Sequence, residues 1–190
     1  MEGEAERNRR KKEAPEITSV MPSSSPPVTF TPVTEADLPR LCELVNDQVI
    51  ARFLDHILPV TQEKTSSFFA FSRERGFLLW NIRAADDGTI GSAGLLPEDP
   101  GTKCRKTAVF YLYLLPAYWG RGIGMLAMEH LEREARNRGL HRLECVVAAG
   151  NGRAIRLYQK CGFSREGIRR DAFFDSGQYE DLVMMAKLLD

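Results

Sequence analysis

Residues 112–138, LYLLPAYWGRGIGMLAMEHLEREARNR, run from an apolar β-type segment through three glycines into an amphipathic helix, and this junction limits what the chain can fold into. The apolar run ends at Pro116, glycines stand at 120, 122 and 124, and Ala127, Met128, Leu131 and Ala135 recur at helical spacing. Residues 107–115 (TAVFYLYLL) and 142–147 are strand-like and flank the helix. Two strands joined in this way lie parallel, with a right-handed crossover. The turn is also a place to hold an anion. The first N–H groups of a helix lack internal partners, the macrodipole puts positive potential there, and residues without side chains let a phosphate approach. An ordinary tight turn accounts for the glycines equally well at this point. Neither common nucleotide fingerprint is present: GRGIG lacks the third glycine of G-x-G-x-x-G at the required offset, and no Lys-Ser or Lys-Thr follows to make a P-loop.

The rest of the chain arranges itself around this unit. Residues 1–27 mix charges, serine and proline with almost no large apolar groups, so they bury too little surface to offset ordering and read as a disordered tail. The basic run Arg9-Arg10-Lys11-Lys12 in that tail is balanced by glutamates at 2, 4, 6, 13 and 16, which also argue against a mitochondrial presequence. Residues 28–190 form a single domain. Within it, residues 28–32 read as an edge strand. Thr34, Glu35 and Asp37 then start one amphipathic helix carrying Leu38, Leu41, Cys42, Val45 and Val49. Residues 51–60 interrupt with a proline, and a second helix with Phe68 and Phe71 runs to about Arg75, where Gly76 stops it. Two antiparallel strands at 77–84 and 89–96 join through Asp86-Asp87-Gly88. After the central unit, a helix with Ala154, Leu157, Tyr158 and Cys161 on one stripe ends at Gly162. Strands at 163–170 and 179–188 close the chain around Asp175-Ser176-Gly177.

Composition excludes several classes. With 26 Lys+Arg against 26 Asp+Glu the formal net charge is zero, so no global field draws the chain to nucleic acid or anionic lipid, and neither is expected as a partner. Cys42, Cys104, Cys145 and Cys161 stand far apart with no C-x-x-C pair, and the three histidines are scattered, so no metal site is expected. Buried free thiols, the absence of an apolar run of roughly 18 residues and an N-terminus without signal-peptide layout point to a cytoplasmic protein.

Two linked motifs give the chain a family resemblance. Residues 119–124 occupy the place of Q/R-x-x-G-x-G/A, ending in Gly122 and Gly124, with Trp119 where the pattern has Gln or Arg. Asn151-x-x-Ala154-x-x-x-Tyr158-x-x-x-Gly162-Phe163 follows at the expected distance. The chain therefore resembles the GNAT superfamily of N-acyltransferases, in the branch of ribosomal-protein alanine acetyltransferases and small-molecule amine acetyltransferases. The resemblance implies a single-domain α/β (α+β) fold with a mixed, mostly antiparallel sheet, a central splayed pair of parallel strands and flanking helices.

It further implies acetyl-CoA as acyl donor, no metal, and a primary amine as acceptor. That amine is a small molecule or amino acid, with a protein N-terminal α-amine as the alternative. A catalytically weak acyl-CoA-binding module stays open as a different class. Pantetheine would pair with the strand at Leu112, Tyr113 and Leu114, and the pyrophosphate would meet the turn from Trp119, Gly120, Arg121, Gly122, Ile123 and Gly124, with Asn151, Ala154 and Tyr158 contributing from the second motif. Tyr158 is the group expected near the leaving sulfur, and Glu144 is the carboxylate best placed as a base, unless it pairs with Arg142. Asp171, Asp175 and Glu180 are weaker base candidates, and Phe53, Asp55 and His56 are acceptor-site candidates. A monomer or homodimer is expected.

Overall fold

The computed structural model describes residues 27–189. The expected disordered tail lies outside the described residues, apart from Pro27. In chain order the elements are β1 Val28–Pro32, α1 Leu38–Val45, α2 Gln48–Ala51, α3 Gln62–Glu74, β2 Leu78–Ala84, β3 Gly88–Pro97, β4 Thr107–Leu114, α4 Ile123–Asn137, β5 Arg142–Ala148, α5 Gly152–Lys160, β6 Ser164–Asp175 and β7 Gln178–Leu188. The strands make one seven-stranded sheet of order β1-β2-β3-β4-β5-β7-β6. Every neighbouring pair is antiparallel except β4 and β5, the mixed sheet that the resemblance implies. None of the described helices is long and apolar enough to cross a membrane.

Local chemistry explains most boundaries. The β6–β7 hairpin closes on two residues, Ser176 at φ 50° and Gly177 at φ 80°, between the paired Asp175 and Gln178. Two left-handed residues in succession match the strand twist of a tight hairpin. The single helix expected from Leu38 through Val49 is instead two. Asn46 turns its amide back onto the Cys42 and Val60 carbonyls and accepts from the Val60 N–H, while the Asp47 carboxylate caps a fresh start by accepting from Val49 N and Ile50 N. Side chains that satisfy backbone groups outside the helix compete with its continuation.

The core lies on both faces of the sheet. On one, α4 presents Ile123, Ala127, Met128, Leu131 and Ala135, all with no exposed surface, to the sheet. Each of the larger side chains contributes about 1.5–3 kcal/mol by leaving water. On the other, α1 buries Leu38, Leu41 and Leu44 with Val33, against Leu79 and Tyr113 of the sheet. Half-buried Lys187 Nζ meets both Glu132 oxygens and the Cys161 carbonyl at 2.7 Å, which ties α4, β7 and the end of α5 together.

The β4–β5 contact decides where a ligand fits. Three rungs join the two strands, Thr107 with Arg142, Ala108 with Leu143 and Val109 with Glu144. Beyond them β4 stays paired to β3 as far as Leu114 opposite Gly91, and β5 stays paired to β7 as far as Ala148 opposite Leu182. Each strand follows its outer neighbour, so the two part company and leave a wedge at their carboxyl ends.

His130 on α4 is a buried titratable group in this core. Its ring stacks on Phe30 at 4.5 Å and meets Trp80 edge-on at 4.8 Å. Nδ1 accepts from Arg133 Nη2 at 2.8 Å, and Nε2 is buried without a partner among the described residues. Burial first, and the Arg133 charge second, hold its pKa below the ordinary value of 6.5. The unfolded chain therefore takes up this proton more readily than the folded one, so stability is present above the ordinary histidine value and falls as pH drops below it. Lowering the pH from about 7.5 to about 5.5 is expected to lower the thermal midpoint of the wild type more than that of His130→Phe. Equal slopes in the two proteins would show that His130 stays uncharged in both states or carries no linkage.

Candidate functional site

The turn before α4 is rich in unsatisfied backbone donors. Gly120 at φ 74° and Gly122 at φ 80° are left-handed, and no side chain caps the helix. The first N–H groups to bond back are those of Met125 and Leu126, both to the Gly122 carbonyl. Among the described residues, the N–H groups of Gly120, Arg121, Gly122, Ile123 and Gly124 have no acceptor. Such a run at the positive end of a 15-residue helix is suited to phosphate.

The three glycines serve different ends. Gly120 and Gly122 permit the backbone conformation. A Cβ on Gly124 would sit 2.9 Å from Leu157 Cδ2, so this glycine lets α4 and α5 come together. The bare Cα of Gly124 therefore faces a helix, while its N–H remains one of the unpaired donors of the turn.

The wedge supplies a strand-like partner for an extended ligand. Leu115 N–H donates to the Ile90 carbonyl on β3 at 2.9 Å. Because backbone groups alternate in direction along a strand, Tyr113 also spends its pair on β3, and Leu112 and Leu114 turn theirs toward the wedge. The Leu114 carbonyl is already taken by the Trp119 indole Nε1–H at 2.8 Å. What remains open is both groups of Leu112 and the N–H of Leu114. Of the three expected pantetheine contacts, Tyr113 is thus the one whose backbone faces away; its ring stacks on Tyr111 at 5.9 Å on the other side of the sheet.

Tyr158 stands beside the wedge. Its ring is buried, edge-on to Phe110 at 5.1 Å and close to Phe163 at 6.0 Å, and its hydroxyl has no hydrogen-bond partner among the described residues. Burial raises its pKa well above the ordinary tyrosine range, with Cys145 and Cys161 adding to the effect, so it is a proton-bearing donor at neutral pH. Burial also pushes the Cys145 thiol up to about 12, so this neighbour is not a thiolate nucleophile.

Asn151 sets the second motif in place. Its Oδ1 accepts from Ala154 N at 3.1 Å to cap α5, and its own N–H donates to the Ala148 carbonyl. The loop before it is pinned to β7, with Gly150 N–H donating to Glu180 and Ala149 N–H to the Asp181 carbonyl. Asn151 therefore fixes the start of the helix that carries half-buried Ala154 and Tyr158. Glu180 is engaged in the same loop, and the Asp171 N–H donates to Asp181 Oδ1.

Glu144 is committed elsewhere. Arg142 Nε donates to its Oε2 at 2.8 Å, and the same guanidinium grips Glu166 with both terminal nitrogens, holding the Glu166 carboxyl below the ordinary range. By strand alternation the Glu144 side chain lies on the sheet face opposite buried Cys145, which neighbours Tyr158. The acceptor candidates sit in the loop after α2: His56 Nε2 meets the Val45 carbonyl at 3.0 Å, Arg52 lies over the Phe53 ring, and Asp55 is exposed. Among the described residues no hydrogen bond, ion pair or ring contact links these three to the wedge or to Tyr158.

Two features were not legible in the sequence. One is the placement of Arg153 over the Trp119 ring, centroid distance 4.1 Å, a contact between separate motifs. The other is a cleft of about 750 Å³ between the end of β1, α3 and the last turns of α4, lined by Thr34, Phe69, Arg73, Trp80, Glu134 and Arg138. It lies at the opposite end of α4 from the glycine turn. Among the described residues no group of histidine, cysteine and carboxylate side chains is arranged to hold a metal.

These features correspond to a known family. A family model for the acetyltransferase (GNAT) domain matches residues 28–164. The [ribosomal protein bS18]-alanine N-acetyltransferase of Salmonella typhimurium is 35% identical over 81 residues, which make up 43% of this chain and 55% of that protein. The chain thus spans about half the length of these relatives. The L-methionine sulfoximine/L-methionine sulfone acetyltransferase of Pseudomonas aeruginosa is 26% identical over 156 residues, 82% of this chain and 91% of that one. The crystal structure of a ribosomal-protein-alanine N-acetyltransferase from Brucella melitensis matches with a TM-score of 0.75 at 28% identity, covering 85% of this chain and 99% of the other. A Sinorhizobium meliloti phosphinothricin acetyltransferase in complex with acetyl-CoA shares the fold, with a TM-score of 0.74 at 21% identity over 85% and 88% of the two chains. The splayed strand pair, the uncapped glycine turn and a family match over most of the sequence place this chain in the GNAT acetyltransferase family.

Proposed function

We propose that the protein transfers an acetyl group from acetyl-CoA to a primary amine, with a small-molecule or amino-acid amine as acceptor. The observation that carries this reading is the run of five unpaired N–H groups at the mouth of a strand pair that stops after three rungs. A diphosphate fits the first and an extended amide chain fits the second. The Pseudomonas relative, which names an amino-acid analogue as substrate, aligns over most of both chains and favours the small acceptor. Likeness to the Salmonella and Brucella alanine acetyltransferases supports a protein N-terminal α-amine as the second reading. We further assign the protein to the cytoplasm, in keeping with its buried free Cys42 and Cys145.

The chemistry is direct transfer. The neutral amine nitrogen attacks the acetyl carbonyl carbon, the C–S bond breaks with its electron pair leaving on sulfur, and the surplus ammonium proton passes to water. The open N–H groups of Leu112 and Leu114 are the donors available to developing charge on the carbonyl oxygen. Tyr158 donates a hydrogen bond to the departing sulfur. Full proton transfer from an ordinary tyrosine at pKa about 10 to a thiolate at about 8.5 is already uphill by roughly 2 kcal/mol, and burial raises the tyrosine further. An α-amine of pKa about 8 costs roughly 1.4 kcal/mol to neutralise at pH 7, against about 4.6 for lysine, so ordered water suffices as base for the former. Glu144, held by Arg142, is not required for that step.

Following free thiol release from acetyl-CoA with a panel of amino acids, polyamines and short peptides is expected to show amine-dependent turnover. Coenzyme binding without turnover across the panel would instead identify a binding module. Tyr158→Phe is expected to lower kcat by about one to two orders of magnitude with the fold intact, and unchanged turnover would remove Tyr158 from the reaction. Glu144→Gln should alter kcat by no more than roughly threefold, the scale of losing one partly exposed ion pair; a loss comparable to that of Tyr158→Phe would restore Glu144 as the base.

A further inference from the structure

The glycine motif departs from its family pattern at Trp119, and the structure puts a specific arrangement in that place. The indole Nε1–H donates to the Leu114 carbonyl, which fastens the turn to the end of β4. The Arg153 guanidinium, carried by the first turn of α5, lies over the same ring at 4.1 Å. Arg153 is exposed and has no carboxylate within ion-pair distance among the described residues. On the other flank Arg121 lies 5.3 Å over the Tyr118 ring, whose hydroxyl donates to Asp87. Tyr118 and Trp119 directly precede the five unpaired N–H groups, which include that of Arg121. A guanidinium on an aromatic face keeps its edge donors free and its plane oriented, and that fork matches a phosphate in two parallel hydrogen bonds.

We propose that Arg153 is a phosphate-binding side chain for the acyl donor, and that Trp119 is its positioning residue, together replacing the Gln or Arg that the motif lacks. The role holds only if the donor is a coenzyme A thioester, as proposed above. The shared chemistry is an anionic phosphate, whether in the pyrophosphate or at the 3′ position of the ribose. The placement also explains how a motif with tryptophan at this position keeps a cation at the turn: the charge arrives from the second motif and rests on the first.

Isothermal titration of the full chain with CoA and with dephospho-CoA tests this, on wild type, R153Q, W119A, W119F and the R153Q variants of both tryptophan mutants. R153Q is expected to weaken CoA binding by about tenfold or more, the range of a hydrogen bond to a charged group, and to raise the KM for acetyl-CoA while leaving kcat within about twofold. Equal weakening toward dephospho-CoA supports a pyrophosphate contact, and weakening confined to CoA supports the 3′-phosphate. W119A should weaken binding similarly, with R153Q costing little more in that background, because the ring that holds the guanidinium is gone. W119F retains a ring, so R153Q should still weaken binding there. CoA affinity of R153Q within twofold of wild type overturns the contact, and additive losses for W119A and R153Q overturn the mounting. Failure of the wild type to bind CoA at all overturns this role and the acetyl-CoA reading together, whereas a binding wild type with an unaffected R153Q overturns this role alone.

Discussion

Three rungs of parallel pairing hold the two halves of this sheet together, and the rest of the site follows from where they stop. β4 is bound along its whole length to β3, and β5 to β7. Each strand is therefore committed to an outer partner, and the sheet's twist separates them once Val109 and Glu144 have been passed. Buried backbone groups must be paired, so a wedge of this kind carries a cost that the fold meets in two ways. Aromatic rings from Phe110, Tyr158 and Phe163 pack beside it, and the Trp119 indole satisfies one stranded carbonyl. The groups left over on Leu112 and Leu114 are those that an extended ligand would complete.

The helix ends tell a consistent story. α2, α3 and α5 each have a side-chain cap, from Asp47, Thr61 and Asn151. α1 and α4 have none: α1 follows a turn closed by the Thr34 N–H on Asp37, whereas the turn before α4 is shaped by left-handed glycines. An uncapped terminus at the carboxyl ends of parallel strands, with arginines on neighbouring rings, has the electrostatics suited to an anion. The electrostatics of the carboxylates point the same way. Glu144 and Glu166 are bound to Arg142, so no carboxylate of that network faces the turn.

Much of this was readable in advance because its causes are local. The hairpin turns rest on left-handed glycines at 88 and 177, and the end of α5 on Gly162, all of which a residue-by-residue reading finds. The strand–helix–strand unit was legible from periodicity, and its parallel sense from connectivity alone. The break between α1 and α2 was not, because it depends on the Asn46 side chain reaching Val60, which no window around Asn46 contains. The candidate site divided in the same way. Gly120, Gly122 and Tyr158 stood out by type and spacing, whereas the contact of Gly124 with Leu157 and the cap that Asn151 gives Ala154 N needed the packed structure, which also selected Arg142 as the partner of Glu144.

By itself the sequence determined the order of elements, the parallel crossover and the two motifs, because turn conformation, helical periodicity and chain connectivity are properties of neighbouring residues. The tertiary structure alone decided which backbone groups face the wedge, which glycine lets two helices approach, and that Arg153 comes to rest on Trp119. Those outcomes depend on the register between strands and the distance between helices, and both are set by packing among residues that the chain keeps far apart.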